Sequence, residues 1–157
     1  MRIGIIGPSK VKDKEKIKEI AQIIAELGHE IIITADKGSS SELFALEYKN
    51  SNGKKVFHIV PLDDKEFGYD YLNLDLGKHI NCGTWRNQPE KFNEETNVLV
   101  CIGYSVGVLA EIAYSKWFKP KRVYIIKELV SKELPKDSVR DLDLVYISFK
   151  DISKALK

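Results

Sequence analysis

Short runs of consecutive apolar residues alternate with longer amphipathic stretches along most of the chain. Runs of this kind, rich in β-branched residues, are typical of strands that are buried on both faces of a parallel sheet. They predict strands at residues 2–7, 30–34, 55–60, 98–102 and 122–127, and a further strand at 144–147. The pattern of residues 151–156 predicts a terminal helix.

The amphipathic stretches between these runs predict helices. In the first stretch the apolar residues recur every three or four positions and would share one face: Ile17, Ile20, Ala21, Ile24 and Leu27. Gly28 follows as a C-terminal cap. Residues 39–42, Ser-Ser-Ser-Glu, predict the capped start of a second helix. Another helical pattern begins near Gly107, directly after an apolar run.

Residues 63–95 carry the least regular pattern. Leucine alternates with polar residues over 72–76, which predicts a short strand or an extended segment. Pro89 is typical of the first turn of a helix, so a short helix is predicted over 88–95.

Strands that alternate with helices over short connections imply right-handed parallel crossovers. The sequence therefore predicts one α/β domain over residues 1–157, with a Rossmann-like, doubly wound, mostly parallel sheet and helices on both faces. We expect five to six strands in an order near 3-2-1-4-5. The switch point then lies between the first and fourth strands, so the loops at 7–10 and 103–107 would open onto one ligand-binding crevice.

Composition narrows the class of protein. Hydrophobic residues make up 43% of the chain and charged residues 31%, which is ordinary for a globular domain. A net charge of +2 gives no reason to expect nucleic acid or a membrane surface as a partner. No apolar run reaches membrane-spanning length and no signal peptide precedes the first strand, so we expect a cytoplasmic protein.

The cysteines, histidines and glycines predict no metal and no cofactor. Cys82 and Cys101 do not make a disulfide framework, and the three histidines are scattered without metal-ligand spacing. Gly4 and Gly7 lack the third glycine of the dinucleotide fingerprint, and no acid clearly ends the second strand. An NAD site is therefore not expected.

The run from the fourth strand into the next helix carries most of the candidate chemistry. Gly103, Tyr104, Ser105 and Gly107 form a loop that would place the free N–H groups of a helix end at the carboxyl edge of the sheet, where anions bind. Glu111 lies about one turn inside that helix. It either complements the positive end of the helix dipole or acts in the site, beside an electron-poor sugar carbon.

Two other loops would reach the same crevice. Gly7, Pro8 and Ser9 can donate backbone N–H groups and a hydroxyl to a ligand, or form a tight turn only. Asp36 and Gly38 follow the second strand, where Asp36 is a candidate ligand contact. The neighbouring serines are already explained by capping of the helix.

The segment before the short helix offers a cation and an amide. Arg86 can bind phosphate or carboxylate through two parallel hydrogen bonds, and Asn87 can read a ribose or a base. The alternative for Arg86 is a surface ion pair. The aromatic residues Tyr69, Tyr71 and Trp85 can either stack on a base or pack within the protein.

Four features in this order resemble the Rossmann-type superfamily of LOG ("lonely guy") and lysine decarboxylase-like proteins. They are residues 5–9, Ile-Ile-Gly-Pro-Ser; residues 35–41; Arg86 with Asn87; and residues 102–111, Ile-Gly-Tyr-Ser-Val-Gly-Val-Leu-Ala-Glu. The likeness spans nearly the whole chain, but its motif is degenerate.

The family motif reads P-G-G-x-G-T-x-x-E. Gly107 and Glu111 match it, Tyr104 and Ser105 replace the glycine pair, and Val108 replaces the threonine.

LOG enzymes are phosphoribohydrolases, which cleave the N-glycosidic bond of a nucleoside 5′-monophosphate. The resemblance implies that Glu111 is the catalytic carboxylate and Arg86 its partner arginine, with Gly103 and Gly107 in the phosphate loop. An oxocarbenium-like ribose does need a nearby carboxylate and an anchored phosphate.

Several functions stay open. The first is a protein that binds a nucleotide or sugar phosphate and cleaves its N-glycosidic bond. A looser resemblance to nucleoside 2-deoxyribosyltransferases implies a different enzyme with a glutamate nucleophile. Non-enzymatic relatives are nucleotide-sensing modules and molybdenum-cofactor-carrier-like proteins, and an oligomeric scaffold is a further alternative. Relatives are commonly dimers or larger, and Tyr114, Trp117 and Phe118 supply an apolar helix surface, so we expect a homo-oligomer.

Overall fold

A parallel sheet forms the centre of the computed structural model, which describes residues 1–67, 69–118 and 121–157. Within these ranges the strands are β1 Arg2–Ile6, β2 Glu30–Ile33, β3 Val56–Val60, β4 Lys78–Asn81, β5 Val98–Cys101, β6 Arg122–Ile126 and β7 Asp143–Ile147. The helices are α1 Lys14–Glu26, α2 Ser40–Asn50, α3 Gln88–Glu94, α4 Val106–Tyr114, α5 Lys136–Val139 and α6 Ile152–Ala155.

The strand order corrects the prediction. All seven strands lie in one sheet, in the order β4-β3-β2-β1-β5-β6-β7, and every pairing is parallel. The predicted count of five to six misses β4, an edge strand whose Lys-His-Ile-Asn sequence has no apolar run. The leucines just before it form a 3-10 turn at Leu74–Leu76 instead of the predicted strand or extended segment. The predicted strands 1 to 5 correspond to β1, β2, β3, β5 and β6, so the predicted order 3-2-1-4-5 describes only the middle of the sheet. β4 pairs with β3 at one edge, and β7 pairs with β6 at the other.

Side chains that hydrogen-bond to backbone amides fix where the first two long helices begin. The carboxylate of Asp13 accepts from the backbone N–H of Lys16 at the start of α1. Ser39 accepts from the N–H of Glu42 at the start of α2, and Glu42 accepts in turn from the N–H of Gly38 at 2.5 Å. These contacts satisfy N–H groups that have no partner within the helix.

Helices cover both faces of the sheet, because the strand side chains alternate between two cores. Ile3 and Ile5 of β1 face a core with α1, α2 and α6, and Ile6 faces a second core with α3 and α4. None of the helices in the described ranges is long and apolar enough to cross a membrane.

The loops after β1 and β5 touch each other. Gly103 has a φ of +134°, and a Cβ at this position would lie 2.9 Å from Cδ of Pro8. A Cβ at Gly7 would lie 2.7 Å from Cγ1 of Ile102. Glycine at these positions therefore permits the close approach of the two loops at the centre of the sheet.

Candidate functional site

A cavity of about 390 Å³ opens at the carboxyl ends of β1, β2 and β5. It lies where the strand order reverses, the usual ligand position in open α/β sheets. Its walls come from the three loops, the start of α4 and the segment before α3, and they comprise Gly7, Ser9, Thr34, Asp36, Tyr71, Trp85, Gln88, Ser105, Val106, Gly107, Val108 and Glu111.

At one wall, the start of α4 supplies amides that no described residue pairs. Ser105 caps the helix by accepting from the N–H of Val108 at 3.3 Å, and the first helical hydrogen bond runs from Leu109 N to Ser105 O. The amides of Val106 and Gly107 precede that bond, so the helix gives them no acceptor. Backbone N–H groups in this position favour an anion.

Glu111 lies on the inner side of α4 and is 8% exposed. Its Oε1 accepts a hydrogen bond of 2.8 Å from Nε2 of Gln88. Burial raises the pKa of Glu111 from 4.5 to about 7; the Gln88 hydrogen bond lowers it and the charge of Asp36 raises it. The side chain can therefore hold or release a proton near neutral pH.

Gln88 connects two walls of the cavity. The same Nε2 atom also donates to Oγ1 of Thr34, at the end of β2, over 3.0 Å. Asn93, one turn further along α3, donates to the backbone oxygen of Glu111 at 2.9 Å. The helix pair α3 and α4 is thus joined by polar contacts that fix the position of Glu111.

Aromatic rings form another part of the wall. Tyr71 and Trp85 stack with their centroids 5.5 Å apart and their planes 14° from parallel. Asp36 lies beside them, since its backbone pairs with Leu72. Burial raises the pKa of Asp36 as well.

Six of the residues predicted for the site line the cavity: Gly7, Ser9, Asp36, Ser105, Gly107 and Glu111. The other six lie outside this lining: Pro8, Gly38, Arg86, Asn87, Gly103 and Tyr104.

Local contacts explain most of the residues that lie outside. Pro8 and Gly103 pack against each other. The N–H of Gly38 is bonded to Glu42, and the hydroxyl of Tyr104 lies 3.1 Å from that of Tyr146.

Arg86 and Asn87 point away from the cavity because of the turn that carries them. Trp85–Asn87 is a 3-10 turn that runs into α3. Residues three apart share a face in such a turn, so Trp85 and Gln88 both face the cavity and the two residues between them do not. Arg86 instead forms an exposed ion pair of 3.5 Å with Glu66, and Asn87 lines a separate surface cavity.

Four polar or aromatic lining residues were missed as site residues: Thr34, Tyr71, Trp85 and Gln88. Both aromatic residues were noted only as candidates for stacking or packing. Thr34 follows β2 directly, so its place at the carboxyl edge could have been inferred from the topology.

The charge of the lining is negative. Among the described lining residues none is Lys or Arg, while Asp36 and Glu111 are acids. Within the described ranges no three His, Cys, Asp or Glu side chains are grouped so that they could hold a metal ion.

The fold and the cavity define a Rossmann-like α/β protein with a cavity at its switch point. No family model matches the chain, and no curated protein sequence matches it.

Solved structures share the fold at low sequence identity. The Moco carrier protein from Chlamydomonas reinhardtii is 20% identical, with a TM-score of 0.78, over 99% of this chain and 94% of its own. The molybdenum cofactor binding protein from Rippkaea orientalis is 18% identical, with a TM-score of 0.76 and the same two coverages. DNA processing protein A from Helicobacter pylori is 10% identical, with a TM-score of 0.65, over 99% of this chain and 80% of its own.

At these identities the likeness establishes the fold and not the function. The Rossmann-like fold implied by the family resemblance is therefore confirmed, whereas the degenerate motif and the roles of its residues stay predictions.

Proposed function

We propose that this protein is a non-catalytic carrier or sensing module, which holds a small phosphorylated ligand with a planar ring. The observation that carries the proposal is the build of the cavity, with unpaired amides of α4 on one wall and the Tyr71–Trp85 stack on another. Helix-start amides bind phosphate, and aromatic faces bind planar rings.

A carrier is favoured over a hydrolase by two observations. Two proteins of this fold are described as binding or carrying the molybdenum cofactor. In addition, the arginine that a LOG-type hydrolase would need lies outside the cavity, because Arg86 is exposed and paired with Glu66.

Tryptophan fluorescence provides a direct test, since the chain has two tryptophans. In a Trp117→Phe variant only Trp85, in the cavity wall, remains to report binding. Nucleoside monophosphates and ribose 5-phosphate are titrated, and we expect a saturable change with the nucleotides.

The matched control is Trp85→Phe, which keeps only Trp117, a 73% exposed residue beyond the end of α4. Its signal should stay flat. If no nucleotide and no isolated molybdenum cofactor alters the Trp85 signal or releases heat in calorimetry, the proposed function is wrong.

An N-glycosidase is the second candidate, favoured by Glu111. A buried carboxyl with a pKa of about 7 can give a proton to a departing base at neutral pH. Release of free base from a panel of nucleoside monophosphates, by wild type but not by Glu111→Gln, would support the hydrolase over the carrier.

The homo-oligomer stays a prediction, and the outer side of α4 supports it. Leu109 of α4 and Trp117 of the 3-10 turn that follows it are 40% and 73% exposed. A helix with an apolar outer face is typically covered by a partner, here a second copy of the chain. Light scattering tests it, and a monomeric mass at micromolar concentration would contradict it.

A further inference from the structure

Two carboxylates face the cavity with hydrogen-bonding capacity to spare. No described residue donates a hydrogen bond to the carboxylate of Asp36, and burial is the cause of its raised pKa. Among the described residues, Glu111 receives a side-chain bond at Oε1 alone, from Gln88. Carboxylate oxygens have several lone pairs each, so both groups can accept N–H donors from a ligand.

Asp36 shares the cavity lining with the aromatic wall and with Glu111. The N–H of Lys37 donates to the backbone oxygen of Tyr71 at 2.8 Å, and Asp36 pairs with Leu72, so the backbone of residue 36 runs beside that of Tyr71. Burial raises the pKa of both Tyr71 and Glu111, and the charge of Asp36 raises each further. Asp36, Tyr71 and Trp85 line the same cavity, so a ring that stacks on this wall can place its edge within reach of Asp36.

The unpaired amides lie at the other side of the cavity. β2 and β5 flank β1, so their ends are two strand spacings apart, about 10 Å. Thr34 and Asp36 follow β2, whereas Ser105 and Gly107 follow β5. A ligand laid across the end of β1 can hold its phosphate at the start of α4 and its ring at the β2 side. The phosphate then stays away from Asp36.

We propose that Asp36 and Glu111 select a ring whose edge carries adjacent N–H donors, the 2-amino-4-oxopyrimidine edge shared by guanine and pterins. The inference rests on the proposed function and specifies its ligand. A carboxylate accepts two parallel hydrogen bonds from such an edge, as it does from an arginine. Adenine offers one amino group beside a ring acceptor, and hypoxanthine lacks the amino group. Neither ring can therefore donate two parallel hydrogen bonds to a carboxylate.

Calorimetric titration of the whole protein tests the selection. GMP is compared with IMP, which lacks only the 2-amino group, and with AMP; neopterin phosphate and ribose 5-phosphate complete the panel. We expect GMP or neopterin phosphate to bind about 10- to 100-fold more tightly than IMP or AMP, the discrimination typical of a bidentate contact. The tighter of the two favoured ligands identifies the ring as guanine or pterin.

Asp36→Asn replaces the carboxylate, which only accepts hydrogen bonds, with an amide, which accepts at its oxygen and donates from its nitrogen. The preference for GMP over IMP should fall to about threefold or less, while ribose 5-phosphate binds at least as well as before, since a negative charge is removed. Asp70→Asn makes the same acid-to-amide change at an exposed residue outside the cavity and should keep the full preference. A thermal melt of each variant shows whether it is folded.

Two results would overturn the inference in different ways. Equal binding of GMP, IMP and AMP, with no advantage for neopterin phosphate, rejects ring selection and leaves the carrier proposal standing. Absence of binding by the whole panel rejects this inference, and if isolated molybdenum cofactor does not bind either, the carrier proposal is rejected with it. If Asp36→Asn is unfolded, the ligand panel on wild type alone still decides between these outcomes.

Discussion

The helices on the two faces of the sheet are held in different ways. α1 and α2 pack on apolar side chains, with Ile20, Ile24 and Phe44 fully buried between them and the strands. The α3–α4 pair also buries apolar residues, but polar groups join the two helices: Gln88 and Asn93 of α3 bond to the side chain and backbone of Glu111.

This difference separates stability from function. Burying apolar surface stabilises a fold without specifying any ligand, whereas burying a carboxyl group opposes folding unless other interactions offset it. A polar helix pair beside a cavity is therefore best explained by a ligand that its groups contact. The comparison predicts that substitutions on the α1–α2 face change stability alone, and that substitutions near Glu111 change stability and binding in opposite directions.

The largest expected effect tests the apolar face. Ile20→Ala should lower the free energy of unfolding by about 2–5 kcal/mol, because it leaves a cavity in a fully packed core. Urea denaturation measures the loss. Ligand affinity at the cavity should change less than twofold, because Ile20 lies on the other side of the sheet. A tenfold loss of affinity in the folded variant would contradict the prediction that substitutions on the α1–α2 face change stability alone.

The next prediction concerns Glu111, whose folded pKa of about 7 lies above the ordinary 4.5. Below pH 4.5 the Glu111 carboxyl is protonated in both the folded and the unfolded state, so it does not oppose folding. As the pH rises to 7 the unfolded chain ionises first, so stability is lost across this window and stays low above it. Glu111→Gln should therefore match wild type at pH 4 and exceed it by on the order of 2 kcal/mol at pH 8.

Denaturant titrations at both pH values measure this difference. Glu19→Gln, on the exposed side of α1, makes the same chemical change and should differ from wild type by only a few tenths of a kcal/mol. A Glu111→Gln variant less stable than wild type at pH 8 would mean that the ionised carboxylate holds α3 and α4 together.

The apolar face was also the easier one to predict from the sequence. The spacing of Ile17, Ile20 and Ile24 defines α1, and the buried β-branched runs define the central strands, because both patterns report burial directly. The sequence of β4 gave no such signal, since an edge strand with exposed side chains is stabilised by backbone pairing with β3 rather than by an apolar pattern.

Of the residues that line the cavity, only those whose position follows from the strand topology could be predicted from the sequence. Gly7, Asp36 and Gly107 follow strands whose carboxyl ends must meet, so their neighbourhood follows from the crossover rule. Trp85 and Gln88 come from an irregular segment, where one 3-10 turn decides which side chains face inward. That choice depends on backbone geometry that residue types alone do not encode. Arg86 was expected in the site because its guanidinium can bind phosphate and because of the family resemblance, whereas the turn directs it to Glu66.

Two glycines test the comparison at smaller scale: Gly103 in the loop between β5 and α4, and Gly107 in the first turn of α4. Gly103→Ala should lower stability by about 2 kcal/mol, because its φ of +134° is strained for any other residue and the new Cβ would lie 2.9 Å from Pro8. Thermal denaturation measures the loss. An unchanged melting temperature would show that the two loops do not need their close contact.

Gly107 lies in the first turn of α4, where the structure gives no such reason for a glycine. Its φ is not in the left-handed region, and the nearest atom to an added Cβ would be Oγ of Ser105, 3.9 Å away. Glycine within a helix costs roughly 0.5–1 kcal/mol relative to alanine, so the fold alone would favour alanine here.

Gly107→Ala should therefore raise stability by about 0.5–1 kcal/mol and weaken binding of a phosphorylated ligand. The added methyl group would stand in the cavity where the amides of α4 meet the phosphate. Paired thermal melts and calorimetric titrations measure both quantities on one preparation. If alanine raises stability and leaves affinity unchanged, the ligand does not approach the start of α4, and the phosphate must be bound elsewhere in the cavity.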